Sequence, residues 1–443
     1  MACECQICKN NLPFDLPSEI IDATISGDLI VFAGAGISTE SNAVFKQTLY
    51  EDVFTDLNLD ESTKLDFPSL MTLYCKQKNG RKLLLEKIHK RFEYCHQFKE
   101  LYRFATDFHS ELSSIYSIDK IITTNWDDYF ERECNAIPIV TAEDFAFYNI
   151  ESRKVFKLHG SISNYGSIIA SSEDYKRCYK NLQTGIIGSF LKTMLATKVV
   201  VFVGYSFSDF DFNKVYTYLK KEMGEILPHC YIVTLDKTFE EKFKREKVTI
   251  INTAGKHFFS ILRSHLEGTK VLIPKKNLDN VEMFSYIRSQ VHKNSSEYFY
   301  KTRTSNGIYN LFYQDGMQHA FDYLNFHSKS GITFNSHHIQ RHLRSYDEIK
   351  KLCLKAKNYP DYAYIEGYSV GLTSIFYEDP EEYFPFYFIM GVGPVRTFKD
   401  FSKYLNKQKV YHKTAEAVGK KYFKHMLDKK ADIVPHHRPF IGE

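Results

Sequence analysis

Along the first 270 residues, short and continuously apolar runs recur at Leu29–Ala33, Lys120–Thr123, Lys154–Leu158, Val199–Val203, Tyr231–Leu235 and Val248–Ile251. None alternates polar with apolar residues, as a strand with one wet face would, so the pattern predicts strands buried on both sides. Longer helix-compatible stretches separate them. That alternation predicts an α/β fold, a Rossmann-like parallel sheet with helices on both faces. Between Asp52 and Phe108 no convincing strand occurs. Leu70, Leu73 and Tyr74, then Leu83, Leu84 and Ile88, keep helical spacing, so residues 52–108 are read as a helical insertion able to cover a cleft.

The pattern changes after Ile273–Asn280, where Pro274 stands between an apolar run and a Lys-Lys pair, and this is read as a domain boundary. Beyond it, Tyr346–Lys357, Phe398–Leu405 and Thr414–Leu427 are helix candidates, and the stretch from Tyr362 to Phe388 is aromatic and β-branched. An α+β or mostly helical domain is expected there. The plan is an N-terminal tail over 1–14, a sheet domain over 15–272 and a C-terminal regulatory or interaction domain over 281–443.

Composition narrows the class. Of 443 residues, 43% are hydrophobic and 25% charged, which is ordinary globular usage and excludes a disordered or fibrous chain. The net charge of +4 is too mild to imply a nucleic-acid partner. Its distribution is uneven: residues 1–270 hold 33 basic against 36 acidic side chains, and residues 271–443 hold 25 against 18. The run from Lys403 to Lys430 is basic enough to meet a nucleic acid or an acidic protein face, but no nucleic-acid motif accompanies it, and a solvated basic helix is the simpler reading. His337-His338 and His436-His437 read as surface or packing residues.

The longest β-like apolar run, Val199–Val203, is far shorter than the roughly 20 residues a membrane helix needs, and the first residues lack the apolar stretch of a signal peptide. A cytoplasmic protein without membrane association is expected. Nine cysteines, an odd number scattered along the chain, do not read as a disulfide framework. Cys3, Cys5 and Cys8 are closely spaced, but a tetrahedral zinc site wants four ligands and no fourth lies near.

The chemistry sits where strands end. Leu29–Ala33 runs into Gly34-Ala35-Gly36-Ile37-Ser38, whose glycines let a backbone approach a pyrophosphate, or simply make a tight strand-to-helix turn. Thr124-Asn125-Trp126-Asp127 follows a strand and offers Asn125 and Asp127 either to a ligand or as helix caps. Lys157-Leu158-His159-Gly160 places a histidine after a strand, where it can act as a general base or remain structural. Gly204-Tyr205-Ser206 and Ile251-Asn252 close two further strands with side chains suited to a ribose.

In this order the five motifs resemble the sirtuin family over about residues 15–270. The resemblance implies NAD⁺ as substrate, Asn125 and His159 as catalytic residues, and Ala33, Gly34, Ala35, Gly36, Ser38, Asp127, Gly204, Ser206 and Asn252 as binding residues. It implies that Asn125 positions water or the ribose hydroxyls, that Asp127 holds the nicotinamide carboxamide, and that Gly204-Tyr205-Ser206 and Asn252 serve the adenosine. Two departures matter. No arginine stands in the segment after Ser38, where the family's deacylases carry one, and only Cys178 lies between His159 and Val199, where they carry four zinc-binding cysteines. No metal is expected.

With Gly204-Tyr205-Ser206 followed by Asp209, the chain resembles the sirtuin-like NADases of bacterial anti-phage defence. This implies cleavage of NAD⁺ to nicotinamide and ADP-ribose in abortive infection, with a homo-oligomer and a co-encoded helicase-type ATPase among the implied partners. A protein deacylase and a non-catalytic NAD⁺ or ADP-ribose sensor are the alternatives.

Overall fold

The computed structural model describes residues 9–38, 44–205, 217, 220–221, 223–243, 247–378, 397–407 and 413–439. The chain divides into two compact units, residues 1–269 and 270–443.

The first unit is built on seven strands: β1 (Leu29–Ala33), β2 (Lys120–Thr123), β3 (Ile137–Ile139), β4 (Lys154–Lys157), β5 (Val199–Val203), β6 (Cys230–Thr234) and β7 (Val248–Asn252). They form one sheet in the order β3-β4-β2-β1-β5-β6-β7, and every neighbouring pair is parallel. All five residues of β1 are buried, as a strand with helices on both faces requires. Six strands fall within one residue of the apolar runs. The seventh, β3, is only Ile-Pro-Ile. Pro138 has no N–H for a ladder, which is tolerated because β3 pairs with β4 alone at the sheet edge.

From β1 the chain moves to β2 and on to the β3–β4 edge, then returns to lay β5 on the other side of β1. The loops leaving β1 and β5 therefore run in opposite directions. A crevice opens at the carboxyl ends of these two strands, the place where open α/β sheets bind ligands.

Between β1 and β2, where the sequence pattern predicts a helical insertion over 52–108, the chain forms the helices Leu49–Asp56, Phe67–Cys75, Gly80–Gln97 and Lys99–Ser113. Thr48 starts the first helix with a capping box closed by Glu51, and the side chain of Asp66 caps the second, which carries Pro68 in its first turn. Leu84, Ile88, Phe92 and Cys95 repeat at helical spacing on one face of Gly80–Gln97 and are buried with Val53, Leu70 and Met71. The main sheet core gathers Phe32, Phe156 and Phe202 with Leu191 and Leu195; removing a ring such as Phe32 would cost about 3–5 kcal/mol. Below the strands, fully buried Arg153 donates to the carbonyls of Ile118, Cys134, Ser113 and Ile115, tying the entry of β4 to three neighbouring segments.

In the second unit every described element is helical, the longer ones being Asn277–Thr302, Ser305–Ser328, Ser336–Ala356 and Tyr359–Thr373. Of the two expectations for this region, the helical one holds among the described residues. The aromatic stretch from Tyr362 begins inside a helix rather than a strand, and its part beyond residue 378 lies outside the described residues. Ser305–Ser328 and Tyr359–Thr373 touch backbone to backbone: a Cβ on Gly316 would stand 2.0 Å from the Tyr364 carbonyl oxygen, and one on Gly367 1.9 Å from that of Tyr313. Around this crossing Tyr309, Tyr313 and Tyr364 are fully buried, so much of the aromatic excess is core. The paired histidines pack: Tyr323 Oη lies 2.8 Å from His338 Nε2, and His437 stacks on Tyr364 while its Nε2 donates to Asp361 at 3.1 Å. No helix among the described residues is long and apolar enough to cross a membrane.

Candidate active site

The loops after β1 and β5 interlock. Gly34 N donates to the Val203 carbonyl at 2.9 Å and Gly36 N to the Gly204 carbonyl at 3.0 Å. A Cβ on Gly34 would sit 2.4 Å from the Gly204 oxygen, and Gly204 itself has φ +61°, so side chains are excluded at both positions. Of the two readings of this loop, close approach to a pyrophosphate or a tight strand-to-helix turn, the bonds seen here belong to the turn. The N–H groups of Gly34 and Gly36 are already bonded across the sheet, and the glycines serve close packing of backbones.

Beside this lock, Thr123 Oγ1 donates to the Ala33 carbonyl at 2.9 Å and accepts from Asn125 N at 3.0 Å, so the end of β2 is fixed to the end of β1. The buried Asn125 amide then reaches Gly34 O at 3.2 Å and Ser38 Oγ at 3.4 Å through Nδ2, while its Oδ1 is left without a partner. An orphaned buried acceptor of this kind is costly unless a ligand or water supplies a donor.

Asp127 is buried too. Its carboxylate accepts from Ser38 Oγ at 3.0 Å and from Tyr129 N at 3.3 Å. Burial pushes its pKa up to about 6, against the opposing pull of the Lys157 ammonium. Lys157, whose side chain is fully buried, holds the Trp126 and Asp127 carbonyls and pairs with Glu131 at 2.9 Å. Burial likewise raises the Glu131 carboxyl, opposed by Lys157. The ion pair lies behind the Asn125–Asp127 turn and fixes its course.

His159 follows β4, 5% exposed, with its ring edge-on to Tyr175 at a centroid distance of 5.0 Å. The next residue, Gly160, has φ +87°, and a Cβ there would meet the Ser167 carbonyl oxygen at 2.2 Å, so only glycine lets the chain turn away after the histidine.

These groups surround a cavity of about 780 Å³, within the usual range of small-molecule and cofactor sites. Of the residues singled out from sequence, Ala35, Gly36, Asn125, Asp127, His159 and Gly204 line it. Ala33, Gly34 and Ser38 are not among the lining residues; Gly34 and Ser38 are bonded to Asn125 and Asp127, and Ala33 to Thr123. Ser206 lies outside the described residues, as do Cys3, Cys5 and Cys8. Asn252 ends the edge strand β7, where Nδ2 donates to Glu240, and is not among the lining residues. Thr234 and Asp236, at the end of β6 next to β5, line the cavity instead. They follow an apolar strand as the other motifs do, which is the signal that marks them in the sequence.

The insertion supplies the opposite wall through Thr48, Tyr50, Phe67, Arg91 and Phe92, residues that no motif marks. Cys178 is buried and donates to the Leu158 carbonyl. Among the described residues no group of three or more His, Cys, Asp or Glu side chains is arranged to hold a metal.

Residues 119–255 match the SIR2-like domain, a likeness that agrees with the parallel sheet and the strand-end cavity. More particularly, the chain is similar to the NAD(+) hydrolase ThsA of Cytobacillus dafuensis, 28% identical over 216 residues, covering 47% of this chain and 42% of that protein. It is similar to the NAD(+) hydrolase ThsA of Enterococcus faecium at 25% identity, covering 79% and 67%, and to the defense-associated sirtuin 2 of Bacillus subtilis at 21%, covering 49% and 22%. The first of these matches thus spans less than half the relative's length.

Proposed function

We propose that the chain is an NAD⁺ glycohydrolase that cleaves NAD⁺ to nicotinamide and ADP-ribose and so depletes NAD⁺ in a phage-infected cell. The observation that carries this reading is the convergence of Asn125 and His159 on one cavity at the carboxyl ends of the central strands. The names of the relatives point the same way.

In this reading the bond between nicotinamide nitrogen and ribose C1′ breaks with its electron pair going to nicotinamide, leaving an oxocarbenium-like ribose. Water adds to C1′ and loses its proton to His159 or to solvent. Asn125, pinned by Gly34 and Ser38, orients the ribose hydroxyls or the water through Oδ1. Asp127 places a carboxylate beside the cationic nicotinamide. A pure sensor has no need of a base beside the ribose.

The reading extends to a cytoplasmic homo-oligomer whose C-terminal unit restrains the activity until infection, with a helicase-type ATPase as a candidate partner. Product analysis tests the reaction. In extracts of phage-infected cells expressing the chain, NAD⁺ without acylated peptide should yield nicotinamide and ADP-ribose in equal amounts; product formed only with acylated peptide, as O-acyl-ADP-ribose, would establish a deacylase instead.

A further inference from the structure

The proposed substrate is a zwitterion, with a cationic nicotinamide ring and two negative charges on its pyrophosphate. Moving a pyrophosphate out of water needs compensating donors or charge. The glycine loop supplies less than its sequence suggests, because the N–H groups of Gly34 and Gly36 are bonded to β5 and its loop, and those of Ile37 and Ser38 to Gly34 and Ala35. Acidic groups are plentiful around the cavity, with Asp66, Asp127 and Asp236 among the lining residues. Among the described lining residues there is one Lys or Arg, and it is Arg91.

Arg91 reaches the cavity because helix Gly80–Gln97 turns Ile88, Arg91 and Phe92 to one face, at spacings of three and four residues. Its guanidinium is held in place: Nη1 donates to Asp52 Oδ2 at 2.8 Å, Nη2 donates to the Gln47 carbonyl at 3.0 Å, and its Cζ lies 4.1 Å from the centre of the Phe45 ring. The side chain is 11% exposed. A guanidinium fixed in this way loses little further freedom when an anion arrives, and its planar fork suits phosphate oxygens.

Resting on the dinucleotide reading of the cavity, we infer that Arg91, contributed by the helical insertion, is the cation that binds the pyrophosphate of the substrate. Asp127 and Arg91 then mark the two poles of the zwitterion, one on the strand-end wall and one on the insertion wall. The insertion is thereby part of the binding site as well as its cover.

The alternative is that Arg91 only fastens segment 45–52 to the helix, and titration calorimetry on the full chain separates the two. ADP-ribose carries the pyrophosphate, and adenosine has neither phosphate. Arg91→Gln should weaken ADP-ribose binding about ten- to hundredfold, the range for a lost hydrogen bond to a charged group. Adenosine binding should be unchanged, Arg91→Lys should recover part of the loss, and the affinity of the wild type for ADP-ribose should fall with salt more steeply than that of Arg91→Gln. Equal loss for both ligands, unchanged ADP-ribose affinity in Arg91→Gln, or no ADP-ribose binding by the wild type would overturn the inference. An Arg91-dependent affinity in a chain that leaves NAD⁺ intact even in extracts of phage-infected cells would refute the hydrolase reading alone. NAD⁺ hydrolysis with an unaltered KM in Arg91→Gln would refute only the role of Arg91.

Discussion

At the scale of single residues, Asp127 carries the most specific physical consequence. Its folded pKa of about 6 lies above the ordinary 3.8, so between these pH values the folded chain holds more protons than the unfolded one. Stability from this group is therefore present at low pH and falls as pH rises through the window, by on the order of 3 kcal/mol in total. Asp127→Asn keeps an acceptor for Ser38 and Tyr129 but removes the charge. Urea titrations from pH 4 to pH 7 should show the variant gaining on the wild type as pH rises, and parallel curves would refute the assignment.

His159→Ala and Asn125→Ala should each lower turnover at least about a hundredfold while the melting temperature changes little, because neither ring nor amide is a large part of the core. These two positions were legible because each follows an apolar strand. Arg91 was not, since its place in the cavity depends on the packing of a helix whose sequence shows only amphipathic spacing. Asn252 illustrates the converse. Ile251-Asn252 and Thr234-Leu235-Asp236 both end apolar runs, and only the order of strands, with β6 beside β5 and β7 at the edge, brings the latter to the cavity.

At the scale of elements, the contact between the β1 and β5 loops is the joint on which the site depends. Gly34→Ala would drive a methyl group into the Gly204 carbonyl, and the backbones would have to separate. A loss of about 1–3 kcal/mol in stability is expected, with ADP-ribose affinity falling as well. Differential scanning calorimetry and a binding titration measure the two effects. The helix crossing of the second unit offers a parallel case away from the chemistry: Gly367→Ala places its Cβ against the Tyr313 carbonyl and should lower the melting temperature by several degrees.

Strands β1, β2, β4, β5, β6 and β7 were legible because a strand buried on both faces must be apolar throughout. Strand β3 was not, because an edge strand of three residues containing proline has neither the length nor the composition of that pattern.

At the scale of the whole molecule, the parallel sheet follows from the alternation of apolar runs with helices, whereas the switch at β1 and β5 and the cavity there follow from the strand order. The second unit was harder to read. Its helices are rich in tyrosine and phenylalanine, residues that favour strands by propensity, but buried crossings such as Tyr313 against Gly367 set their conformation. In the proposed reading, an enzyme that destroys NAD⁺ has to be held inactive in an uninfected cell, so the proposed activity is best followed through infection.

The most direct measurement is therefore the NAD⁺ content of cells expressing the wild-type chain or His159→Ala at equal protein levels, followed through phage infection. NAD⁺ is expected to collapse with the wild type, with nicotinamide and ADP-ribose rising together, and to be retained with His159→Ala. An equal collapse with both proteins, or protection from phage by the wild type while NAD⁺ stays level, would contradict the hydrolase reading.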